Sequence, residues 1–381
     1  MTLAPEIKGW CPGALRPMQS GDGLVVRIRP PLGRLTPAQA AAIATAAATH
    51  GNGIIDLSAR ANLQLRGVTE ASHRPLIEDL RAQGLIDPDI QTESLRNLIV
   101  TPFHNTKTGD LAATLIAALA RMPRLPGKFG FALDSGPRPV LTGASVDIRV
   151  ERSRDGRLIL RPEGHALGQP VTDLAADAVA MAEWFVASGG VTEGRGRMAA
   201  LIGRGPVPPG CTLAPADPLP QPVPGLHPEG ALVALAFGQM RAETLMALSA
   251  IGHEIRPTPW RMLFLVAARA VPKIPGLITD PSDPILRVSA CTGAPGCPQA
   301  LGDTRKLAIA LAPHLPPGQT LHLSGCAKGC AHPGASDLTL TATASGYDLI
   351  RNGTASDTPG LSDLSPQAIP DLLKAAHAPS I

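Results

Sequence analysis

With 381 residues, 44% of them hydrophobic and 17% charged, the chain has enough apolar material for buried cores and too little charge for a disordered polymer. At ~150 residues per domain this length corresponds to two or three domains. A net charge of +3 and an aromatic content of 3% call for no nucleic-acid partner and no membrane surface. Of the 34 basic residues, 27 are Arg, a bias toward planar recognition of carboxylates that a general drift in composition also explains.

In chain order, Leu24–Ile28 reads as a strand entered from the Gly21-Asp22-Gly23 turn. Thr36 and Pro37 supply the N-cap and first residue of an Ala-rich helix that ends near His50-Gly51. Strands follow over Gly53–Leu57 and Leu63–Arg66, then a helix over Ser72–Gln83 stopped by Gly84. Roughly 205 residues later the pattern recurs: strand Ala231–Phe237, helix Arg241–Ile251 closed at Gly252, and strands His253–Arg256 and Arg261–Val266. Between these units lies a helix over Asp173–Ser188, whose Leu174, Ala178, Met181 and Phe185 form a core stripe. The stretch Gly203–Pro228, with nine Pro and four Gly, reads as the connection between two halves. The expected units are 1–88, 89–204, a Pro-rich linker over 205–228, then 229–280 and 281–381.

The longest apolar runs, Leu111–Ala120 and Ala231–Phe237, fall short of the ~20 residues that span a bilayer. The N-terminus lacks a basic region followed by an apolar one, so the expectation is a cytoplasmic protein. Its six Cys then read as metal ligands or free thiols. Cys291-x5-Cys297 and, after 28 intervening residues, Cys326-x3-Cys330 place four thiols on Gly-rich loops able to wrap one compact site. The five-residue gap exceeds the usual structural-zinc knuckle, which favours an iron–sulfur cluster over zinc. Cys211 in the Pro-rich stretch and Cys11 in a Pro-Gly turn read as free thiols, and Arg195-Gly196-Arg197 as a solvated loop.

The four-cysteine pattern resembles the cluster signature of the sulfite and nitrite reductase family. That resemblance implies a [4Fe–4S] cluster on Cys291, Cys297, Cys326 and Cys330, with Cys330 facing a second cofactor or the substrate. Leu57–Gly67 is similar to the family's Arg-containing strand, which holds tetrapyrrole carboxylates. Leu95-Arg96-Asn97 is similar to its second basic segment, and Leu125–Phe129 to its Lys loop. Arg60, Asn62, Gln64, Arg96 and Lys128 are therefore the implied binding residues. Strand periodicity puts Arg60, Asn62, Gln64 and Arg66 on one face. The implied fold is α+β and pseudo-twofold duplicated, with ferredoxin-like half-domains at 1–88 and 229–280 and α/β half-domains at 89–204 and 281–381.

Two departures stand out. Gly130 occupies the place of the reductases' second Lys, and the chain is short for a reductase. Both suit the precorrin-3B synthase branch of aerobic cobalamin biosynthesis, which the run Lys8-Gly9-Trp10-Cys11-Pro12-Gly13 also resembles. The branch implies dioxygen-dependent hydroxylation of the tetrapyrrole precorrin-3A at C-20 with lactone formation. It also implies a [4Fe–4S] cluster and a mononuclear non-haem iron, with the Arg cradle holding substrate. No His-x-Asp pair marks the iron's ligands; His332, two residues after Cys330, is the best-placed candidate, against a loop His satisfied by backbone. With no Walker or Rossmann loop, electrons come from an external donor or reductase. The alternative is a siroheme-dependent sulfite or nitrite reductase. A non-catalytic iron–sulfur carrier is a third reading, against which Arg60, Arg96 and Lys128 argue.

Overall fold

The computed structural model describes residues 12–375, so Lys8, Gly9, Trp10 and Cys11 of the N-terminal run lie outside it. The first half opens with β1 (Met18–Ser20), β2 (Gly23–Ile28), α1 (Pro37–His50), β3 (Ile54–Leu57), β4 (Leu63–Val68) and α2 (Glu70–Ala82). A second unit follows with α3 (Ile90–Leu95), β5 (Leu98–Val100), α4 (Thr106–Ala118), β6 (Phe131–Asp134), β7 (Ile148–Arg152), β8 (Leu158–Pro162), β9 (Gln169–Pro170), α5 (Leu174–Ala187) and α6 (Met198–Ile202). The second half repeats the plan. Its first unit holds β10 (Gly225–His227), β11 (Gly230–Ala234), β12 (Gln239–Arg241), α7 (Ala242–Ala250), β13 (Ile255–Pro257) and β14 (Met262–Val266). Its second holds β15 (Val288–Ala290), α8 (Thr304–Leu311), β16 (Leu321–Ser324), β17 (Ser336–Ala342), β18 (Tyr347–Gly353), β19 (Leu361–Leu364) and α9 (Ile369–Ala375).

The duplication is visible in strand order. The sheet β1-β2-β4-β3 matches β10-β11-β14-β13, and β5 to β9 matches β15 to β19, with two parallel pairings followed by two antiparallel ones in each. Each half also turns the chain at the same place. Leu32 (φ 53°) and Gly33 (φ 70°) recur as Phe237 (φ 56°) and Gly238 (φ 72°). This left-handed turn is why the strand expected over Ala231–Phe237 stops at Ala234. Beyond the turns the halves exchange partners: β12 pairs with β3, and Leu35 bridges Ile255 of β13.

The helix α1 forms where expected, through a capping box between Thr36 and Gln39 and Pro37 at its first position. Its small buried residues Ala40, Ala44 and Ala47 let it pack closely on α7. Both ferredoxin-like sheets lay an apolar face on this helix layer, giving one core that runs from Val26 and Leu65 to Val233 and Leu265. The Pro-rich segment is stitched to the β5–β9 unit by bridges from Leu213 to Gly168 and from Pro215 to Ser153. Among the described residues no helix is long and apolar enough to cross a membrane.

Candidate functional site

Alternation along β2 and β4 sends Val26, Ile28, Leu63 and Leu65 into the core and their neighbours to the opposite face. There a polar row crosses four strands, with Arg27 opposite Gln64, Gln64 opposite Asp56, and Asp56 opposite Gln239. Arg27 Nη2 donates to Gln64 Oε1 at 2.8 Å, and Gln239 Nε2 to Asp56 Oδ1 at 2.9 Å. Arg305, from the first turn of α8, reaches the same Asp56 oxygen at 3.4 Å.

This face is polar and yet buried. Arg27 is 7% exposed and Arg29 5%, and among the described residues Nε and Nη1 of both lack a hydrogen-bond partner. Burying unsatisfied donors costs about 1–3 kcal/mol per group, more when charged, so such atoms need a reason. Burial lowers the Arg29 pKa to about 10; Arg27 and Arg96 push the same way, and Glu93 (3.5 Å away) and Asp87 oppose. Glu93 is held in turn by the N-terminal segment: it accepts from Ala14 N at 2.6 Å, and a Cβ at Gly13 would lie 2.0 Å from its Oε2. Arg27 and Arg29 escaped the sequence reading. Their period-two spacing in Val-Val-Arg-Ile-Arg looks like an ordinary solvated strand face.

The expected binding residues divide. Gln64 and Arg66 lie on β4, but Arg60 and Asn62 precede it, in a turn where Ser58 N donates to Asn62 O at 2.9 Å and Ala61 takes φ 56°. The expected four-residue strand face is therefore corrected: β4 starts at Leu63, and the left-handed Ala61 breaks the alternation. Arg60 Nη2 donates to the Lys128 carbonyl at 2.7 Å, so these two residues do meet, at an exposed loop. Arg66 grips Asp22 with Nε at 3.0 Å and Nη2 at 2.7 Å. Arg96 forks onto Asp87 at 2.8 Å through both Nε and Nη2, and donates to the Arg29 carbonyl at 3.0 Å. It therefore stands behind Arg29. Arg197, read as a loop cation, reaches Asp147 Oδ1 at 2.9 Å.

The cysteine loops meet this face. Cys291 follows β15 and Cys326 follows β16, and these strands are parallel neighbours, so both loops leave the same sheet edge. Gly293 (φ 69°) turns the first loop, and its carbonyl accepts from Cys297 N at 2.8 Å. The Gly296 carbonyl then docks on the first half, accepting from Ser20 Oγ (2.8 Å), Gly21 N (3.1 Å) and Arg66 Nη2 (3.3 Å). Gly325 N donates to Cys291 Sγ at 3.2 Å, the backbone-to-sulfur contact that stabilises thiolate ligands. Burial pushes the Cys330 thiol up; Lys328 opposes this, and Cys291, Cys326 and Cys297 add to it. Among the described residues no three His, Cys, Asp or Glu side chains are grouped so as to hold a metal ion. Four thiols on adjoining loops, with an N–H aimed at one sulfur, fit a polynuclear iron–sulfur group.

Below the Cys330 loop, His322 of β16 is 0% exposed, and neither ring nitrogen has a hydrogen-bond partner among the described residues. Burial first, then His332 and Arg261, lower its pKa to about 4. The His332 ring stands 5.9 Å away, with Nε2 3.3 Å from the Ala335 carbonyl. Arg261 ties this region to the second ferredoxin-like sheet through the Ala331 carbonyl at 3.2 Å. Cys211 is remote from the site, and burial raises its thiol to about 11.

Comparison with known proteins agrees with this architecture. Residues 16–83 match the family model for the nitrite/sulfite reductase ferredoxin-like half domain. A precorrin-3B synthase of a Sinorhizobium species is 30% identical, the alignment covering 94% of this chain and 86% of that protein. The structure of the Mycobacterium tuberculosis NirA protein superposes with a TM-score of 0.62 at 16% identity, over 92% of this chain and 79% of that one. The last likeness concerns the fold, and the coverage and identity of the second settle the family: the chain belongs to the precorrin-3B synthases, within the nitrite/sulfite reductase-like fold.

Proposed function

We propose that the protein is an enzyme of cobalamin biosynthesis that hydroxylates precorrin-3A at C-20 with dioxygen and closes a lactone from the ring A acetate. The observation that carries this reading is the pair of buried guanidinium groups on and just beyond β2, with Nε and Nη1 of Arg27 and Arg29 lacking hydrogen-bond partners among the described residues, beside a β4 whose Arg66 meets the Gly296 carbonyl of the first cysteine loop. A macrocycle bearing many carboxylates is the ligand class that can satisfy several fixed guanidinium groups at once. Arg27 and Arg29 would take carboxylates on the sheet, with Asn62 and Gln64 beside them. Arg60 and Lys128 would do so at the rim, and Arg96 would position Arg29. The near relative's name supports the substrate.

Cys291, Cys297, Cys326 and Cys330 would hold a [4Fe–4S] cluster supplying one-electron transfer, and a mononuclear non-haem iron would supply dioxygen activation. No ligand set for that iron stands out among the described residues. The hydroxylation consumes one dioxygen, two electrons and two protons, leaving one oxygen atom on the macrocycle and one in water. The electrons come from an external donor. Turnover of precorrin-3A under labelled dioxygen tests the reading: one labelled atom is expected on the macrocycle, from protein without extractable siroheme. Efficient anaerobic reduction of sulfite or nitrite by siroheme-loaded protein would replace it with the reductase reading.

A further inference from the structure

Gly21 stands in the turn between β1 and β2, and its backbone lies outside the left-handed region, so its own conformation does not call for a glycine. The second half does. A Cβ at position 21 would stand 2.5 Å from the Pro295 carbonyl oxygen and 3.1 Å from the Gly296 carbonyl carbon, both backbone atoms of the first cysteine loop. This close approach lets Gly21 N and Ser20 Oγ donate to the Gly296 carbonyl at 3.1 and 2.8 Å. Arg66 Nη2 adds a third donor at 3.3 Å, and its guanidinium is held by both oxygens of Asp22, in the same turn, and by Ser20 Oγ at 3.1 Å.

The carbonyl they hold belongs to the peptide that leads into Cys297. That peptide is planar, and its other end is pinned as well, because Cys297 N donates to the Gly293 carbonyl at 2.8 Å. With its oxygen and its N–H both held, the plane from which the Cys297 side chain springs is set. Cys291 and Cys326 take their places from strands that end just before them, whereas Cys297 lies in a stretch without helix or strand and depends on these bonds. We propose that the Ser20–Gly23 turn, with Arg66, is a positioning clamp for Cys297, so that the first half completes a cofactor site whose four thiols all belong to the second. This rests on the four cysteines holding an iron–sulfur cluster, as in the function proposed above.

The test uses the full chain purified without oxygen. It follows the cluster's visible absorption after transfer to air, the electron paramagnetic resonance of the dithionite-reduced protein, and far-ultraviolet circular dichroism. Gly21→Ala is expected to bleach about tenfold faster than wild type, with shifted g-values and an unchanged circular dichroism spectrum. Ser20→Ala, which removes one donor and adds no bulk, should bleach about threefold faster. Arg74→Met, at an exposed position on α2, is the control and should match wild type. Bleaching and g-values in Gly21→Ala equal to those of wild type overturn the inference. Faster bleaching with unchanged g-values also overturns it, because a general loosening of the fold would do the same. Should Gly21→Ala fail to fold, Ser20→Ala decides: faster bleaching with shifted g-values supports the clamp, and wild-type behaviour overturns it. Wild-type protein that carries no iron and sulfide removes the cluster reading itself and this inference with it, a result distinct from a loaded cluster that ignores position 21.

Discussion

The two ferredoxin-like sheets share strand order but treat their second faces in opposite ways. In the first, Arg27, Gln64 and Asp56 stand in one cross-strand row; in the second the equivalent row is Leu232, Phe264 and Arg256. The second copy is filled: Leu232, Ala234, Met262 and Phe264 form a cluster with Trp260 and Phe103, whose ring meets Phe264 edge-on at 5.1 Å. Its one charge, Arg256, is satisfied by the Pro102 and His104 carbonyls at 2.7 and 2.8 Å and by Glu254 at 2.7 Å. The first copy keeps buried guanidinium nitrogens that lack hydrogen-bond partners among the described residues. One scaffold thus serves as packing in one half and as a ligand surface in the other, and orphaned buried polarity tells them apart.

The largest expected effect tests the same contrast in the α/β sheets. The loops after β15 and β16 start at Cys291 and near Cys326, while those after β5 and β6 start at Thr101 and Ser135. Cys326→Ser should remove nearly all iron and sulfide from purified protein, and Ser135→Ala should remove none. Stoichiometric zinc without sulfide would refute the cluster assignment.

Next comes a charge placed in the filled copy. Phe264→Arg buries an unpaired cation and should cost about 4 kcal/mol or more of unfolding free energy. A loss under ~1 kcal/mol in urea would mean that this face is less closed than its packing indicates.

A smaller effect concerns pH. Burial, with Arg256 adding, holds His104 at about 4 instead of 6.5. As pH falls, the unfolded chain takes up that proton first. Stability is therefore full above ~6.5 and declines toward pH 4, by about 3 kcal/mol. His104→Leu should reduce the dependence of urea midpoints on pH across that window, leaving the part that the similarly depressed His322 contributes; an unchanged slope would contradict the assignment.

The smallest stability change separates the two faces most directly. Arg27→Met should leave unfolding free energy the same or raise it by about 1 kcal/mol, because it removes a buried, largely unpartnered charge. Tetrapyrrole binding should fall about tenfold or more. A strongly destabilised variant that still binds would turn Arg27 into a structural residue.

Much of this was legible in the sequence because it is written locally. The repeat shows in strand and helix patterns, Thr36-Pro37 marks its helix by capping chemistry, and the cysteines declare themselves by spacing. The missing parts depend on distant chain. Arg27 and Arg29 escape a local reading because nothing nearby in the chain says that Gln64 will pair with the first and Glu93 will close on the second. Arg60 and Asn62 were placed on a strand because a left-handed Ala61 carries no residue signature. Arg96 looked like a ligand until the loop holding Asp87 folded against it.

The exchange of partners between β3 and β12 also shapes synthesis. When residues 54–57 leave the ribosome, the strand that closes their sheet edge is still some 180 residues away. At ~5–20 residues per second, that edge waits roughly 10 to 40 seconds with unpaired backbone groups. The first half therefore emerges as an adhesive intermediate, and translation rate and chaperone supply should govern the yield of folded protein more than final stability does.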